Sequence, residues 1–348
     1  MENVSISPTF YYTIYSDTED TEEINPIIYH MVQTFMIMSY SITFILGITG
    51  NGLVIWIAGF KMKKTVNTLW FLNLAIADFA FDILFPLQIT EWILDGHWPF
   101  GQTMCKVIYT ILFLNMSVSI SFLMIISIDR CLLIMCPVWS KNHRSPRTAL
   151  TISVMIWSTC FMLSSPYLSV LDIIHDSENS ISYCTSVYAD DYDADTKIDQ
   201  TLTVVRFVTM FLIPFSIIAI CYSLVIFQIR RSRSLARSNR PLKVIIAIVL
   251  CFFCFWFPFY MWPFLEVLNV ELSITVDFIM SNLVYCIGFF NSCVNPMVYV
   301  FVGRDFKETL TKSISFLLEN TFKEKDISDT EPQYEQTVME TEMEDYTV

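Results

Sequence analysis

Seven apolar stretches divide the chain, and each is long enough to cross a membrane as a helix. They cover about residues 31–58, 68–94, 102–135, 147–171, 201–229, 241–268 and 275–301, which we number spans 1 to 7. A bilayer core requires roughly 20 apolar residues in helical conformation. Charged residues make up 16% of the chain, against roughly 25% in a soluble domain. The pattern therefore predicts an all-α membrane protein built as a seven-transmembrane helix bundle.

The sign of the charge alternates from one connection to the next. The connections after spans 1, 3 and 5 contain twelve Lys and Arg and no acidic residue, in segments 61–66, 131–147 and 228–243. The N-terminus and the other connections contain nineteen Asp and Glu against one Lys, in segments 1–30, 89–104, 171–200 and 266–277. Basic loops remain in the cytoplasm. This predicts a multi-pass membrane protein with its N-terminus outside and its tail inside.

The same patterns suggest four segments along the chain. Residues 1–30 are predicted to form an acidic extracellular N-terminus and residues 31–301 the seven-span domain. Apolar residues recur at helical spacing within 303–318, which predicts an eighth, amphipathic helix on the inner leaflet. Residues 319–348 are rich in Glu, Asp, Ser and Thr, a composition typical of a disordered tail.

Two of the ten cysteines differ from the rest in their location. Eight lie in or beside spans, where a thiol serves as a small apolar group. Cys105 opens span 3 on the outer side and Cys184 lies in the long second outer loop, so the oxidising exterior favours a disulfide between them. Asn3-Val4-Ser5 is the one sequon expected to be glycosylated, since the sequon at Asn115 lies inside span 3.

Motifs in every span resemble those of the rhodopsin-like G-protein-coupled receptors. Two are contiguous runs: the Leu-Ala-Ile-Ala-Asp run ends at Asp78, and Asn295-Pro296-Met297-Val298-Tyr299 closes span 7. The others are Gly50-Asn51, Asp129-Arg130-Cys131, Trp157, Pro214, Tyr222, Phe252 and Trp256-Phe257-Pro258. Because the motifs occur in order on all seven spans, the chain is identified by resemblance as a member of that family.

Within the family, the chain is most similar to the chemoattractant receptors. It shares phrases with the chemerin, formyl-peptide and prostaglandin D2 chemoattractant receptors, such as Trp98-Pro99-Phe100-Gly101 and the run from Pro137 to Arg144. This resemblance implies a receptor in chemotaxis and inflammation that couples to inhibitory-class G proteins. Arrestin, receptor kinases and membrane lipids are the further partners it implies; no enzymatic activity and no nucleic-acid partner are expected.

The resemblance also assigns an intracellular switch. Asp129 is expected to pair with Arg130 at rest, and Arg130 is expected to reach toward the G protein in the active state. A simpler interpretation is an arginine that extends to the interface. The other residues implied in coupling are Tyr222, Phe252, Trp256, Pro258, Asn295, Pro296 and Tyr299.

A buried polar group around Asp78 resembles the sodium pocket of the family. The implied ligands of this allosteric ion are Asp78, Asn115, Ser119, Asn291 and Asn295, and no other cofactor is expected. The alternative is a hydrogen-bonded cluster that only packs the spans together. A charged group inside the bilayer is costly, so either interpretation requires partners for Asp78.

The acidic outer surface favours a basic peptide or small protein as ligand, since a field of one sign concentrates the opposite sign. Acidic loops that serve only solubility are the alternative. Arg206, in the outer half of span 5, could bind a ligand carboxylate or pair internally with Asp82 or an outer-loop acid. By position, the other expected pocket residues are Phe113, Phe259, Glu266, Ser281 and Tyr285.

Two departures argue against recognition of formyl-methionine. Phe113 stands where formyl-peptide receptors have Asp, and Leu202 replaces their second Arg. Phe113-Leu114-Asn115-Met116 resembles the prostaglandin D2 chemoattractant receptor instead, so a lipid-acid ligand is the second hypothesis. A decoy receptor that binds without signalling is a third, which the intact Asp129-Arg130 and Asn295-Pro296 motifs oppose.

Overall fold

A computed structural model describes residues 24–176, 181–189, 192–231, 240–268, 270, 272–302 and 311. Asn3, most of the predicted eighth helix and the tail 319–348 lie outside the described residues. The side chains of Glu266 and Tyr299 are likewise outside the description, although both residues belong to helices.

Helices account for most of the described chain. They are α1 (Pro26–Trp56), α2 (Val66–Asp82), α3 (Phe85–Ile93), α4 (Gly101–Met135), α5 (Pro137–His143), α6 (Pro146–Ser164), α7 (Tyr167–Val170), α8 (Tyr192–Arg206), α9 (Ile213–Arg231), α10 (Arg240–Val267) and α11 (Ile274–Val302). Short π-helical turns follow α1 at Ile57–Lys61 and α8 at Phe207–Leu212. Two strands, β1 (Leu171–Asp176) and β2 (Ile181–Ser186), lie between α7 and α8.

These elements form the predicted spans. Within the described residues, six helical segments are long and apolar enough to cross a membrane: Pro26–Lys61, Val66–Ile93, Gly101–Met135, Pro146–Val170, Ala194–Arg231 and Ile274–Met297. The sixth span corresponds to α10, whose apolar portion is Phe252–Leu265. Span 2 therefore consists of α2 and α3, and span 5 of α8, a π-helical turn and α9. Six membrane-spanning segments and the apolar helix α10, in the predicted order, confirm the seven-span bundle.

Local sequence explains where several helices begin. Thr65 accepts a hydrogen bond from the Thr68 backbone N–H and starts α2. Ser145 does the same for Thr148 at the start of α6, where Pro146 occupies the first helical position. Inside the spans, α10 contains Pro258 and Pro263, and α11 contains Pro296. Each proline removes one backbone hydrogen bond from its helix, because proline has no N–H to donate.

The second outer loop is a hairpin that is anchored to span 3. Strands β1 and β2 pair antiparallel with Ile173 opposite Cys184. Cys184 forms the predicted disulfide with Cys105, and their Cα atoms are 5.6 Å apart. Trp98 adds a backbone hydrogen bond to the Ser182 carbonyl oxygen at 2.7 Å. The hairpin is thereby held above the outer end of the bundle.

Candidate functional site

Arg206 is enclosed by aromatic side chains at the outer end of the bundle. Its guanidinium carbon lies 5.1 Å from the ring centre of Phe113 and 5.4 Å from that of Tyr167. These two rings stack on each other at 3.8 Å. An arginine at this distance from a ring face is attracted by the ring quadrupole. Spans 3, 4 and 5 thus converge on one cation.

The second outer loop completes the enclosure of Arg206. An Nη2 hydrogen of Arg206 is donated to the Tyr188 hydroxyl at 3.0 Å. Burial raises the pKa of Tyr188, so this hydroxyl remains neutral. The Nε–H of Arg206 is buried and has no hydrogen-bond partner in the described part of the chain. One strong donor of the guanidinium is therefore available to an incoming group.

The internal partners expected for Arg206 do not take its unused donor. Asp82 accepts from Asn51 at 2.9 Å and from Ser292 at 2.6 Å, within the bundle. Asp199, from the helix that carries Arg206, acts on it electrostatically. In the described part of the chain, the ion pairs are Arg130–Asp129 and Arg144–Asp129, so neither Asp82 nor Asp199 pairs with Arg206. Arg206 is thus surrounded mainly by aromatic groups.

Below Arg206, aromatic rings connect the outer pocket to span 6. Phe259 meets Trp256 edge to face at 5.1 Å and Tyr285 at 5.3 Å. Tyr260 packs on Trp256 at 6.4 Å and is electrostatically linked to Arg206. The buried hydroxyl of Tyr260 has no partner among the described residues. A second donor without a partner in the described residues therefore lies within this aromatic group.

Sequence reasoning missed Tyr167, Tyr188 and Tyr260. No motif marks these tyrosines, since they come from span 4, the outer loop and span 6 and meet only in the folded chain. Among the expected residues, Phe113, Phe259 and Tyr285 belong to this aromatic group. Ser281 is buried and donates its hydroxyl to the Phe278 carbonyl oxygen of its own helix.

The bundle centre gathers most of the residues expected around sodium. One Asp78 oxygen accepts from Asn115 at 3.0 Å and from Ser119 at 3.5 Å, and the other accepts from Asn295 at 2.9 Å. Asn291 is buried, and its side-chain oxygen has no partner in the described residues. Carboxylate, hydroxyl and amide oxygens are the donor types that hard cations prefer.

A second carboxylate lies one helical turn above the first. Asp82 is fully buried between spans 1 and 7 and packs directly against Gly47, where an added Cβ would overlap its carboxylate. Asn51 reaches both Asp82 and the Ser292 carbonyl oxygen. The sequence motif at Gly50-Asn51 therefore serves to join spans 1, 2 and 7 through polar contacts.

At the cytoplasmic end, Asp129 and Arg130 contact more residues than the motif suggests. The Arg130–Asp129 pair is long, 3.8 Å, whereas Arg144 approaches Asp129 to 2.8 Å. Asn67 also accepts a hydrogen bond from Arg130. The expected exclusive pair is thus a four-residue cluster that includes the second inner loop.

The remaining switch residues lie in the core between these ends. Phe252 and Trp256 are buried and contact each other at 6.2 Å, one turn apart on span 6. Tyr222 accepts a hydrogen bond from Ser127 at 3.5 Å across spans 3 and 5. Pro296 packs against Gly50 of span 1. These switch residues therefore lie in the core, where Phe252 and Trp256 contact each other and Tyr222 and Pro296 each contact a different span.

Comparison with known families agrees with this arrangement. Residues 50–299 match the family described as 7 transmembrane receptor (rhodopsin family). The chain therefore belongs to the rhodopsin family of seven-transmembrane receptors. Members are receptors rather than enzymes, and they are multi-pass proteins of the plasma membrane.

Individual relatives narrow the similarity further. Chemerin-like receptor 1 of Rattus norvegicus is 41% identical over 303 residues, which cover 83% of this chain and 81% of the relative. The Homo sapiens protein of that name is 40% identical, covering 88% and 85%. Formyl peptide receptor 2 of Mus musculus is 38% identical, covering 82% and 84%. The resemblance to these two receptor groups is confirmed.

Proposed function

We propose that this chain is a chemoattractant-type receptor for a basic peptide or small protein that presents a free carboxylate to Arg206. The observation that carries the proposal is the buried Arg206 guanidinium, whose Nε–H has no partner among the described residues. A buried cation without a full set of partners is costly, and a ligand carboxylate would relieve that cost. The similarity to chemerin-like and formyl peptide receptors supports a peptide ligand.

Ligand capture would begin at the acidic outer surface. The N-terminus carries Asp17, Glu19, Asp20, Glu22 and Glu23, and the second outer loop, residues 171–200, carries seven more Asp. Long-range attraction steers a basic ligand toward the pocket and raises its association rate. The ligand carboxylate would then enter the aromatic enclosure, where Arg206 and Tyr260 each offer a free donor.

The signal would pass down span 6. Tyr260 and Phe259 both contact Trp256, and Trp256 contacts Phe252. A ligand shifts the receptor toward an active state only by its differential affinity for that state. Repacking of these rings on ligand binding supplies such a difference. At the cytoplasmic end, Arg130 would then contact an inhibitory-class G protein.

Sodium would oppose this change. The residues that would hold the ion are Asp78, Ser119 and Asn291, with Asn115 and Asn295 orienting the Asp78 carboxylate through their amide donors. A monovalent cation there would neutralise buried negative charge. By favouring the inactive state of the bundle, the ion would lower agonist affinity although it binds away from the ligand pocket.

The tail would end the response. Kinases would phosphorylate residues within an acidic strip, and each phosphate adds about −1.5 to −2 charge. Arrestin would bind this strip through a basic surface. The residues expected to be modified are Ser313, Ser315, Thr321, Ser328, Thr330, Thr337, Thr341 and Thr347.

The proposal is tested with chemerin, the protein for which several relatives are named. Cells that express the receptor are exposed to chemerin, to its C-terminal peptide as the free acid, and to the same peptide as the amide. Biosensors for the four G-protein classes and for arrestin record the response. We expect the free acid to activate the inhibitory class and the amide to be much weaker. Equal potency of acid and amide would contradict the role of Arg206.

A lipid acid remains the second candidate because the Phe113–Tyr167 stack makes an apolar wall beside Arg206. Prostaglandin D2 and a formylated peptide are therefore included in the same panel. A response to prostaglandin D2 alone would replace the peptide proposal. Chemerin binding with no G-protein response would identify a decoy receptor instead.

A further inference from the structure

Both oxygens of the Asp129 carboxylate are bound by an arginine that lies outside the motif. Arg144 of the second inner loop donates its Nε–H to Oδ1 at 2.8 Å and an Nη2 hydrogen to Oδ2 at 3.2 Å. Arg130 is the sequence neighbour of Asp129, yet its closest approach to that carboxylate is 3.8 Å. The fork of two parallel hydrogen bonds is the stronger arrangement.

Asn67 brings the two arginines together. Its side-chain oxygen accepts from Arg144 at 2.6 Å and also from Arg130. Two guanidinium groups therefore converge on one amide oxygen and one carboxylate. The Arg130 Nε–H is buried and has no partner in the described residues, so this donor of Arg130 is unused.

The backbone around Arg144 supports this position on both sides. The Arg144 N–H bonds to the Ser140 carbonyl oxygen at 2.9 Å and closes α5. The next residue, Ser145, caps α6. Arg144 and Ser145 thus form a two-residue link between the helices, and this short link directs the Arg144 side chain at Asp129.

Arg144 and Arg130 compete for the same acceptor. One carboxylate can make one forked pair, and the pair that it makes excludes the other. Asp129 and Arg130 each keep only 13% of their side-chain exposure, so solvent screens the competition poorly. Without Arg144, the Asp129 carboxylate would be free to form a forked pair with Arg130. The positive charge that now lies beside Arg130 would also be lost.

We propose that Arg144 is a positioning residue of the intracellular switch. It occupies Asp129 and thereby leaves Arg130 available to a G protein. Through Arg144, the second inner loop regulates coupling from within the receptor, in addition to any contact that this loop makes with the G protein. This inference rests on the G-protein coupling proposed above.

The first test measures how the purified receptor in nanodiscs, without agonist, binds nucleotide-free G proteins of the four classes. Arg144→Gln is compared with Arg147→Gln, a matched loss of charge at an exposed arginine three residues away. We expect Arg144→Gln to weaken binding about fivefold or more, as an effect of at least 1 kcal/mol. Arg147→Gln should stay within about twofold. Equal effects, or tighter binding by Arg144→Gln, would overturn the proposal.

The second test separates positioning from direct contact. In an Asp129→Asn background there is no carboxylate with which Arg130 could form a forked pair. Arg144→Gln should therefore no longer weaken G-protein binding. A loss that persists in this background would mean that Arg144 contacts the G protein itself. Arg144→Lys, which keeps the charge but not the fork, should fall between wild type and Arg144→Gln.

The third test does not depend on coupling. Thermal unfolding of wild type, Asp129→Asn, Arg144→Gln and the double variant forms a double-mutant cycle. We expect the two losses in Tm to be clearly non-additive, because the side chains are in contact. Additive losses would refute the pairing. Non-additive losses in a receptor that binds none of the G-protein classes would refute the proposed coupling instead, and with it the role of Arg144 in coupling.

Discussion

Two buried arginines occupy opposite ends of this bundle, and their surroundings differ. Arg206 at the outer end lies between the Phe113 and Tyr167 rings, and its hydrogen-bond partner is a neutral hydroxyl. Arg130 at the inner end lies beside a carboxylate that a second arginine already binds. Each has a buried Nε–H without a partner in the described residues. A cation kept incompletely satisfied in this way is suited to an external acceptor.

The difference lies in how each end keeps its arginine from forming a close, forked pair with an internal carboxylate. The outer end uses aromatic rings, which attract a cation without providing a hydrogen-bond acceptor. The inner end uses competition, since Arg144 occupies the acid that adjoins Arg130. Aromatic enclosure suits a pocket that must accept varied ligand carboxylates. Competition suits a switch, because the pairing can be exchanged.

The largest expected effect comes from the anchor of the outer enclosure. Cys105→Ser or Cys184→Ser frees the hairpin that carries Tyr188 toward Arg206. Loss of a native disulfide costs about 2–5 kcal/mol, so we expect a sharp fall in surface expression and loss of chemerin binding. Cys136→Ser, at an exposed free cysteine near the inner end, is the control and should change neither. Binding by a Cys105→Ser receptor at wild-type affinity would show that the hairpin does not organise the pocket.

Arg206→Ala should reduce the potency of the free-acid chemerin peptide while leaving surface level unchanged. The expected loss is about 2–5 kcal/mol, because a buried carboxylate would lose its charged partner. The amidated peptide should lose far less. Dose–response curves for both peptides on both receptors measure this difference. Parallel losses for acid and amide would mean that Arg206 supports the pocket without binding the carboxylate.

The middle of the bundle connects the two ends, and Asp78→Asn tests it. Agonist affinity of the wild-type receptor should fall as sodium replaces potassium in the buffer at constant ionic strength. Coupling between sites is typically about 1–3 kcal/mol, and Asp78→Asn should abolish it. Radioligand competition in the two buffers measures the effect. A sodium effect that persists in the variant would mean that the ion acts at another site in the bundle or at the receptor surface.

Tyr260→Phe should give the smallest effect. It removes one hydroxyl and keeps the ring that packs on Trp256. A hydrogen bond to a ligand is worth about 0.5–1.5 kcal/mol, so we expect a loss of roughly three- to tenfold in potency of the free-acid peptide. Tyr40→Phe is the matched control, a buried tyrosine in the Phe85 and Phe289 cluster. Equal potency of the Tyr260→Phe and wild-type receptors would remove Tyr260 from the carboxylate site.

Much of the fold was predictable because lipid imposes one solution on an apolar stretch. Each predicted span corresponds to one helix or to consecutive helical segments, and Cys105 and Cys184 are joined as expected. The polar contacts of Asp78 with Asn115, Ser119 and Asn295 were also anticipated from motif positions. The expected pairing of Asp129 with Arg130 was incomplete, because Asp129 is bound more closely by Arg144. No pattern in the sequence indicates that Arg144, rather than the adjacent Arg130, is the closer partner.

The sequence by itself determined the number of spans and the disulfide, because hydropathy and the placement of cysteines can be judged for each segment separately; it also predicts the orientation of the spans from the charge of the loops. Tertiary structure alone decided which polar groups meet across spans. Tyr188 reaches Arg206 only because the hairpin folds over the pocket, and Arg144 reaches Asp129 only because a two-residue link joins α5 to α6. Such contacts depend on distances between helices, which are set by packing and leave no periodic trace in the chain.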